Sequence, residues 1–514
     1  MLEEKLRMIQ KISNWIVNLF LIVLATISLI GAVGQLVAMQ GMLSVKKNII
    51  YTFLIILGVF IYIFWSKIKS IINRILLTKR VYFITFLAIW LMLIIYQLNM
   101  IESLIGTMDL DPAFLYNLIL NKPTIGHFYY SWCPNLLLLL NLENAIYHIL
   151  GNPSIYMYLK DLNYINMLLI DISLILIYFT VKKQINRKYA FFTFLVGIAL
   201  FGITPYIAIP YSDNWAFWIC SLYIFLLSTI YDNGRWNTSR PIVVVFLGII
   251  GALFFKIKPS TAISLIATVL ILLVISINKG KKLVSSKTKV KHFIKALLLF
   301  IIPFSLTYSI CNYYANNNGL VKIEKGQGAS PLHFMAMGLH GDGQYWESFN
   351  NKDWSLPKSE RKSYDIKIIK QDIRELNSLS SIGNFIITKQ QHNSSLASWQ
   401  RNTGPVSWNL SPKLKLKNNF QKELRKIFVK NNFFYWNGYL IFVQLVWVIV
   451  ILLIILSYPI KDYFVQILKY TIVGGFLFLL LFEGGVSRYM IQYLPFIITL
   501  VPYGALVIKM RSSK

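Results

Sequence analysis

Two carboxylates and a run of aromatics crowd residues 108–135, MDLDPAFLYNLILNKPTIGHFYYSWCPN. Asp109 and Asp111 open the stretch, and Asn117, Lys122, His127, Tyr129, Tyr130, Trp132 and Asn135 follow. An ionised carboxylate can take the proton of a hydroxyl as that hydroxyl attacks. Flat aromatic rings offer faces to a sugar, or to an amphipathic tail at a membrane interface. A carboxylate pair followed by aromatics beside a lipid surface suits chemistry on a lipid-carried substrate.

Four further stretches carry groups of matching character. YSDNWAFW (211–218) holds Tyr211, Asp213 and Trp215, and KIKPS (256–260) holds Lys256 and Lys258. HFMAMGLHGDGQYW (333–346) holds His340, Asp342, Tyr345 and Trp346, and EGGVSRY (483–489) holds Glu483, Arg488 and Tyr489. Lys and Arg can neutralise a phosphate leaving group, and Arg can engage two oxygens at once. A phosphate leaves without a proton from a general acid, so one base and two cations suffice. Each group also has a structural reading. Asp213 can cap a helix beginning at Asn214, and Asp111 can cap one beginning at Pro112. Lys256 and Lys258 can snorkel to headgroups, although Lys258 precedes a Pro-Ser turn that suits phosphate at a helix N-terminus. Glu483 and Arg488 can pair with each other, and Gly341 and Gly343 can mark no more than a turn.

The elements that must position these groups are membrane helices. Only 14% of the 514 residues are charged and 56% are hydrophobic, where a soluble domain carries roughly a quarter charged. The net charge of +30 does not indicate nucleic acid, because the basic residues cluster between apolar runs, as in cytoplasmic loops. A bilayer core of about 30 Å needs about 20 apolar residues in a helix. That template predicts an all-α polytopic protein of about twelve transmembrane helices. The spans fall near 14–38, 49–66, 82–100, 163–181, 189–208, 214–230, 241–257, 260–278, 294–311, 435–457, 466–483 and 489–508. Basic clusters at 67–80, 182–188 and 279–291 then lie inside, with both termini cytoplasmic in a multi-pass cell membrane protein.

Five segments follow: helices in 1–101, a first outer segment 102–162, helices in 163–311, a large extracytoplasmic loop 312–434, and helices in 435–514. Residues 134–150 are interrupted by Asn141, Glu143, Asn144 and His148, so they read as an amphipathic helix on or dipping into the outer surface. A conventional span carrying polar packing contacts is the alternative. The long loop reads as a lid or small domain. Cys133, Cys220 and Cys311 have no metal-ligand spacing. No cofactor is implied, and the sequence does not indicate a divalent cation.

The order of these features resembles the GT-C superfamily of multi-span glycosyltransferases, and in particular a Gram-positive bacterial branch of integral-membrane sugar transferases. The resemblance is carried by DPAFLYNLI with YYSWCPN, the YSDN and KPS turns, FMAMGLHGDGQY, and SRYMIQYLP. Cys133 stands where the pattern would have Tyr, and His340 and Asp342 where it would have Asn and Gly. The resemblance implies a polyprenyl-phosphate-linked sugar donor, an extracytoplasmic glycan, lipid or protein acceptor, and inversion at the anomeric carbon. It implies Asp111 as base with Asp109 as rival, Lys258 and Arg488 on the leaving phosphate, and the remaining polar and aromatic residues around the substrates. Two other functions fit a chain of this shape. A polysaccharide polymerase or ligase would lean on paired outer-loop arginines, and Arg361, Arg374 and Arg401 form no repeated motif. A transporter or flippase of lipid-linked sugars would show inverted repeats, broken helices and midplane charges.

Overall fold

The computed structural model describes residues 2–41, 78–107, 110–232, 235–236, 240–284, 287–399, 409–410, 416–429 and 433–512. The expected span at 49–66 and the carboxylate Asp109 lie outside them.

Long apolar runs fold as helices because a backbone in hydrocarbon must satisfy its own hydrogen bonds. The helices are α1 (Leu2–Gly41), α2 (Lys79–Leu104), α3 (Leu110–Ile119), α4 (Phe128–Trp132), α5 (Leu137–Ile149), α6 (Ile155–Gln184) and α7 (Arg187–Gly197). They continue as α8 (Ser212–Ile230), α9 (Pro241–Ile257), α10 (Ile263–Val284), α11 (Lys287–Asn316), α12 (Pro331–Leu339) and α13 (Glu347–Ser355). The chain ends with α14 (Lys358–Glu375), α15 (Leu379–Ser394), α16 (Asn419–Phe428), α17 (Phe433–Leu456), α18 (Tyr463–Leu481) and α19 (Leu494–Ser512). Among the described residues eight helices are long and apolar enough to cross a membrane, and two shorter apolar helices cover 241–257 and 259–275.

The span expected at 189–208 is not one helix. It runs as α7, a π-turn at Ile198–Gly202 and a 3-10 turn at Pro205–Ala208. Pro205 has no N–H to continue a helix. The freed carbonyl of Gly202 accepts from Gln97 Nε2 at 3.0 Å, and the same amide donates to Asp171 Oδ1 at 2.9 Å in the middle of α6. At 13 residues, α5 is about 20 Å long, too short to span, in keeping with a surface helix over 134–150.

The two ends of the bundle differ. Tyr470 donates to the Ser13 carbonyl at 3.1 Å, and Arg511 donates to Tyr458 Oη at 3.3 Å. Both chain termini therefore lie at one end. At the other end α2, α9, α11 and α18 finish, α6 and α8 begin, and the loop 312–434 folds. That loop is helical. Its helices α12 to α15 close over Ala336, Met337, Leu339, Phe349, Ile369 and Phe385. Ser330 caps α12 through His333 N, and Ser378 and Ser381 form a capping box on α15. A two-residue antiparallel pairing of Gly106 with Leu410 and Thr107 with Asn409 ties the far part of the loop to the end of α2. Arg425 of α16 fastens it again by donating to the Ser103 carbonyl at 2.8 Å.

Candidate functional site

Leu110 begins α3 with φ at +66°, and Asp111 falls in the first turn of that helix. Asp111 is thus inside the helix and not its cap. Tyr129 of α4 donates to Asp111 Oδ1, and Tyr211 donates to Oδ2 at 2.6 Å. A carboxylate has about four lone-pair sites, so two remain for a substrate hydroxyl. Burial and then the Asp111 charge push the Tyr129 phenol far above its ordinary pKa. Burial does the same to Tyr211, with Asp111 adding and Arg488 opposing. Both phenols stay donors at neutral pH and fix the carboxylate in place. Cys133, a free half-buried thiol, lies beside Asp111, and burial keeps it protonated.

Tyr211 links this carboxylate to a charged cluster. The Arg488 guanidinium lies 4.3 Å from the centre of the Tyr211 ring and 5.3 Å from that of Tyr489. Its Nε faces Asp213 Oδ2 at 3.5 Å, while Lys258 Nζ pairs with Asp213 Oδ1. Asp213 is fully buried, yet its Oδ2 and the Arg488 Nε have no hydrogen-bond partner. Two cations thus share one carboxylate beside the Tyr211 and Tyr489 rings, with the Glu483 carboxyl in their electrostatic reach. Local rules set the cluster. Lys258 is extended at φ −154°, as a residue before proline prefers, and the turn Pro259–Ala262 follows. Ser260 donates to Gln492 Oε1 at 2.5 Å, so the KPS turn is bound to the turn Ser487–Tyr493 that carries Arg488. The Asn214 amide holds the 205–211 turn through the carbonyls of Tyr206 and Ile209 at 3.0 and 2.8 Å.

Three structural readings of these residues fail. Tyr211 is the residue before α8, so Asp213 sits in the first turn as an ion-pair partner and not as a cap. The carboxylate paired with Arg488 belongs to Asp213 and not Glu483. Lys256 donates to Asn312 Oδ1 at 3.0 Å and lies over Tyr308, so it does not simply reach for headgroups.

The loop helices dock on this cluster through glycines. Glu483 N donates to the Phe334 carbonyl at 3.1 Å, and Gly485 N to the Gly343 carbonyl at 2.6 Å. A Cβ on Gly484 would lie 2.6 Å from the backbone N and Cα of Tyr345. Gly484→Ala should therefore undock the 340–345 loop at a cost of about 1–3 kcal/mol. A lower melting temperature and faster proteolytic nicking there would check it. Burial pushes the Glu483 carboxyl up, while Lys258, Arg488, His333 and Lys389 oppose. Lys389 of α15 donates to the Gly338 carbonyl. Burial pulls its amine from 10.5 down to about 7, against the opposing pull of Glu483. From about pH 7 to 10.5 the unfolded chain then binds a proton that the folded one does not, so stability rises with pH across that window. The melting temperature should climb from pH 7 to 9 in the wild type and stay flatter in Lys389→Met.

Other expected residues fall outside the cluster. Tyr130 is buried and donates to the Phe114 carbonyl at 2.7 Å, a packing role. Asn135 is half-buried in the turn Pro134–Leu136. Trp215 packs between the two larger apolar clusters, 6.3 Å from Trp218. His340 stacks on Trp346 and meets Asp372 Oδ1 at 3.0 Å, while exposed Asp342 accepts from Gln344 at 2.7 Å and faces His392. The Tyr345 backbone packs against Gly484. Trp354, unnoticed in the sequence, stacks on Tyr129 at 5.6 Å and on Trp132 at 6.3 Å. Arg361 covers Trp132 from 4.9 Å. These side chains wall the approach to Asp111. A lone Trp in the polar run NKDWSLP was the signal available.

The family described as conserved hypothetical integral membrane protein matches residues 7–507. The chain belongs to that family. No curated protein and no solved structure matches it. Membership in an integral membrane family explains apolar side chains that the fold leaves uncovered, such as Phe83 and Ile95 on α2 and Ile302 and Leu306 on α11. In this family member they face lipid, and the polar cluster lies at the end of that lipid-facing bundle.

Proposed function

We propose that the protein is a membrane glycosyltransferase that moves a sugar from a polyprenyl-phosphate donor to an extracytoplasmic acceptor, with inversion. The reading rests on one juxtaposition. A carboxylate with two lone-pair sites left open lies one tyrosine ring away from a Lys–Arg pair held together by the buried Asp213. In the reaction the acceptor oxygen forms its bond to the anomeric carbon as the carbon–oxygen bond to phosphate breaks. Asp111 takes the acceptor proton. The departing polyprenyl phosphate is met by Lys258 and Arg488, and its chain lies along the lipid-facing helices. Trp354 and Tyr129 supply a flat wall for the sugar. The cluster faces the outside and both termini face the cytoplasm. A Cys introduced at Ser359 should label from outside intact cells, and one at Lys183 should not; the reverse would place the cluster on the wrong side.

One observation favours a transporter of lipid-linked sugars. A buried carboxylate, Asp171, lies mid-helix in α6 and is joined through Gln97 to the broken stretch 187–208. The transferase reading is preferred because Gln97 satisfies both Asp171 and the break, so that site is closed. Proteoliposomes carrying a radiolabelled polyprenyl-phosphate sugar separate the two. The transferase releases the label from the lipid when acceptor is present. A transporter carries labelled lipid across intact.

A further inference from the structure

His333, Asp353 and Asp365 come from three successive helices of the loop domain, α12, α13 and α14, and meet in its interior. Their exposures are 2%, 0% and 1%, so they lie out of reach of bulk solvent. His333 Nδ1 lies 2.8 Å from Asp353 Oδ2, and Asp365 Oδ2 accepts from Ser330 at 3.1 Å. One ligand atom from each of the three residues falls within 4.8 Å of the others. The remaining carboxylate oxygens, Asp353 Oδ1 and Asp365 Oδ1, are buried with no hydrogen-bond partner.

Aromatic rings make up much of the surroundings. Phe349 stacks on the imidazole at 5.3 Å and Trp132 meets it edge-on at 5.0 Å. Arg361, whose charge acts on Asp365, spends its hydrogen bonds elsewhere, on the Leu356 carbonyl at 2.9 Å and Gln327 Oε1 at 3.0 Å. Two carboxylates in a dry pocket repel each other, and a proton or a cation between them relieves that repulsion. The two orphaned oxygens and the imidazole together offer a cation three ligands. We infer that His333, Asp353 and Asp365 form a binding site for a divalent transition-metal ion.

The donor set selects the class of ion. One imidazole nitrogen with two carboxylate oxygens suits Zn²⁺ or Mn²⁺ better than Ca²⁺ or Mg²⁺, which favour all-oxygen shells. Tetrahedral Zn²⁺ bonds of about 2.0–2.2 Å set ligand atoms roughly 3.3–3.6 Å apart, so a small closure of the cluster suffices. Three protein ligands leave one position for water. The ion would pin α12, α13 and α14 together. Trp354 follows Asp353, and Arg361 lies one helical turn from Asp365, so the same pin sets the wall beside Tyr129.

The test uses the full chain in detergent, stripped with EDTA, dialysed against metal-free buffer and titrated with Zn²⁺ and Mn²⁺ by calorimetry. One ion per chain is expected. Asp353→Asn and Asp365→Asn keep the shape of the side chains and should each weaken binding at least about 100-fold, the upper end of what even an outer-shell change costs. His392→Ala, which alters the exposed His392–Asp342 pair, should leave the count unchanged. If a variant misfolds, the wild type decides alone: EDTA should lower its melting temperature and Zn²⁺ or Mn²⁺ restore it. No uptake by the wild type, or equal uptake by the Asp353→Asn/Asp365→Asn chain, would overturn the site.

Discussion

Asp111→Asn should lower sugar transfer by about 10²–10⁴-fold while leaving expression, membrane insertion and donor binding intact. Asn still offers a carbonyl oxygen to one of the two phenols, Tyr129 or Tyr211, so the packing around α3 survives. What it loses is the ability to take a proton. Tyr211→Phe should cost much less, because it loosens the carboxylate without removing it. If Asp111→Asn transfers normally while Asp109→Asn is inactive, the base is Asp109. If both turn over normally, no carboxylate in this segment is the base.

The second large effect concerns the buried cluster of Asp213, Lys258 and Arg488. Asp213→Ala removes the buried carboxylate that both cations pair with, which should destabilise the fold by about 3–5 kcal/mol. Lys258→Met removes one cation and leaves Asp213 with Arg488. It should weaken donor use by the worth of one charge-assisted hydrogen bond, about 1.5–3 kcal/mol. Combining Lys258→Met with Asp213→Asn should restore much of the melting temperature lost in Asp213→Ala but not the donor affinity. That split separates a phosphate ligand from a mere counter-charge. Lys258→Met with unchanged donor kinetics would make Lys258 only the partner of Asp213. Arg488→Lys should also impair donor use, since an ammonium cannot replace the planar fork over Tyr211 and Tyr489.

Long apolar runs made most of the helices legible in the sequence, because hydrocarbon admits little else. The break at 198–208 was not legible, since Gly202 and Pro205 look ordinary in a membrane helix until the Gln97 amide is seen closing the gap. In the candidate site, the polar turns were visible as islands between spans, and Asp111, Tyr129, Tyr211, Lys258 and Arg488 do converge. Their pairings were not visible. Asp213 looked like a cap because its neighbours in sequence allow it. Its true partners lie 45 and 275 residues further along, at Lys258 and Arg488. The wall formed by Trp354 and Arg361, and the meeting of His333 with Asp353 and Asp365, depend on how the loop helices pack, which no local spacing encodes.

The decisive measurement gives purified wild-type protein, in nanodiscs, a panel of radiolabelled polyprenyl-phosphate sugars together with cell-envelope acceptor. One donor should lose its sugar to the acceptor with release of an equal amount of polyprenyl phosphate, and the new glycosidic bond should have the opposite anomeric configuration. Donors that bind but are never cleaved, with acceptor present and the fold intact, would contradict transferase chemistry at Asp111.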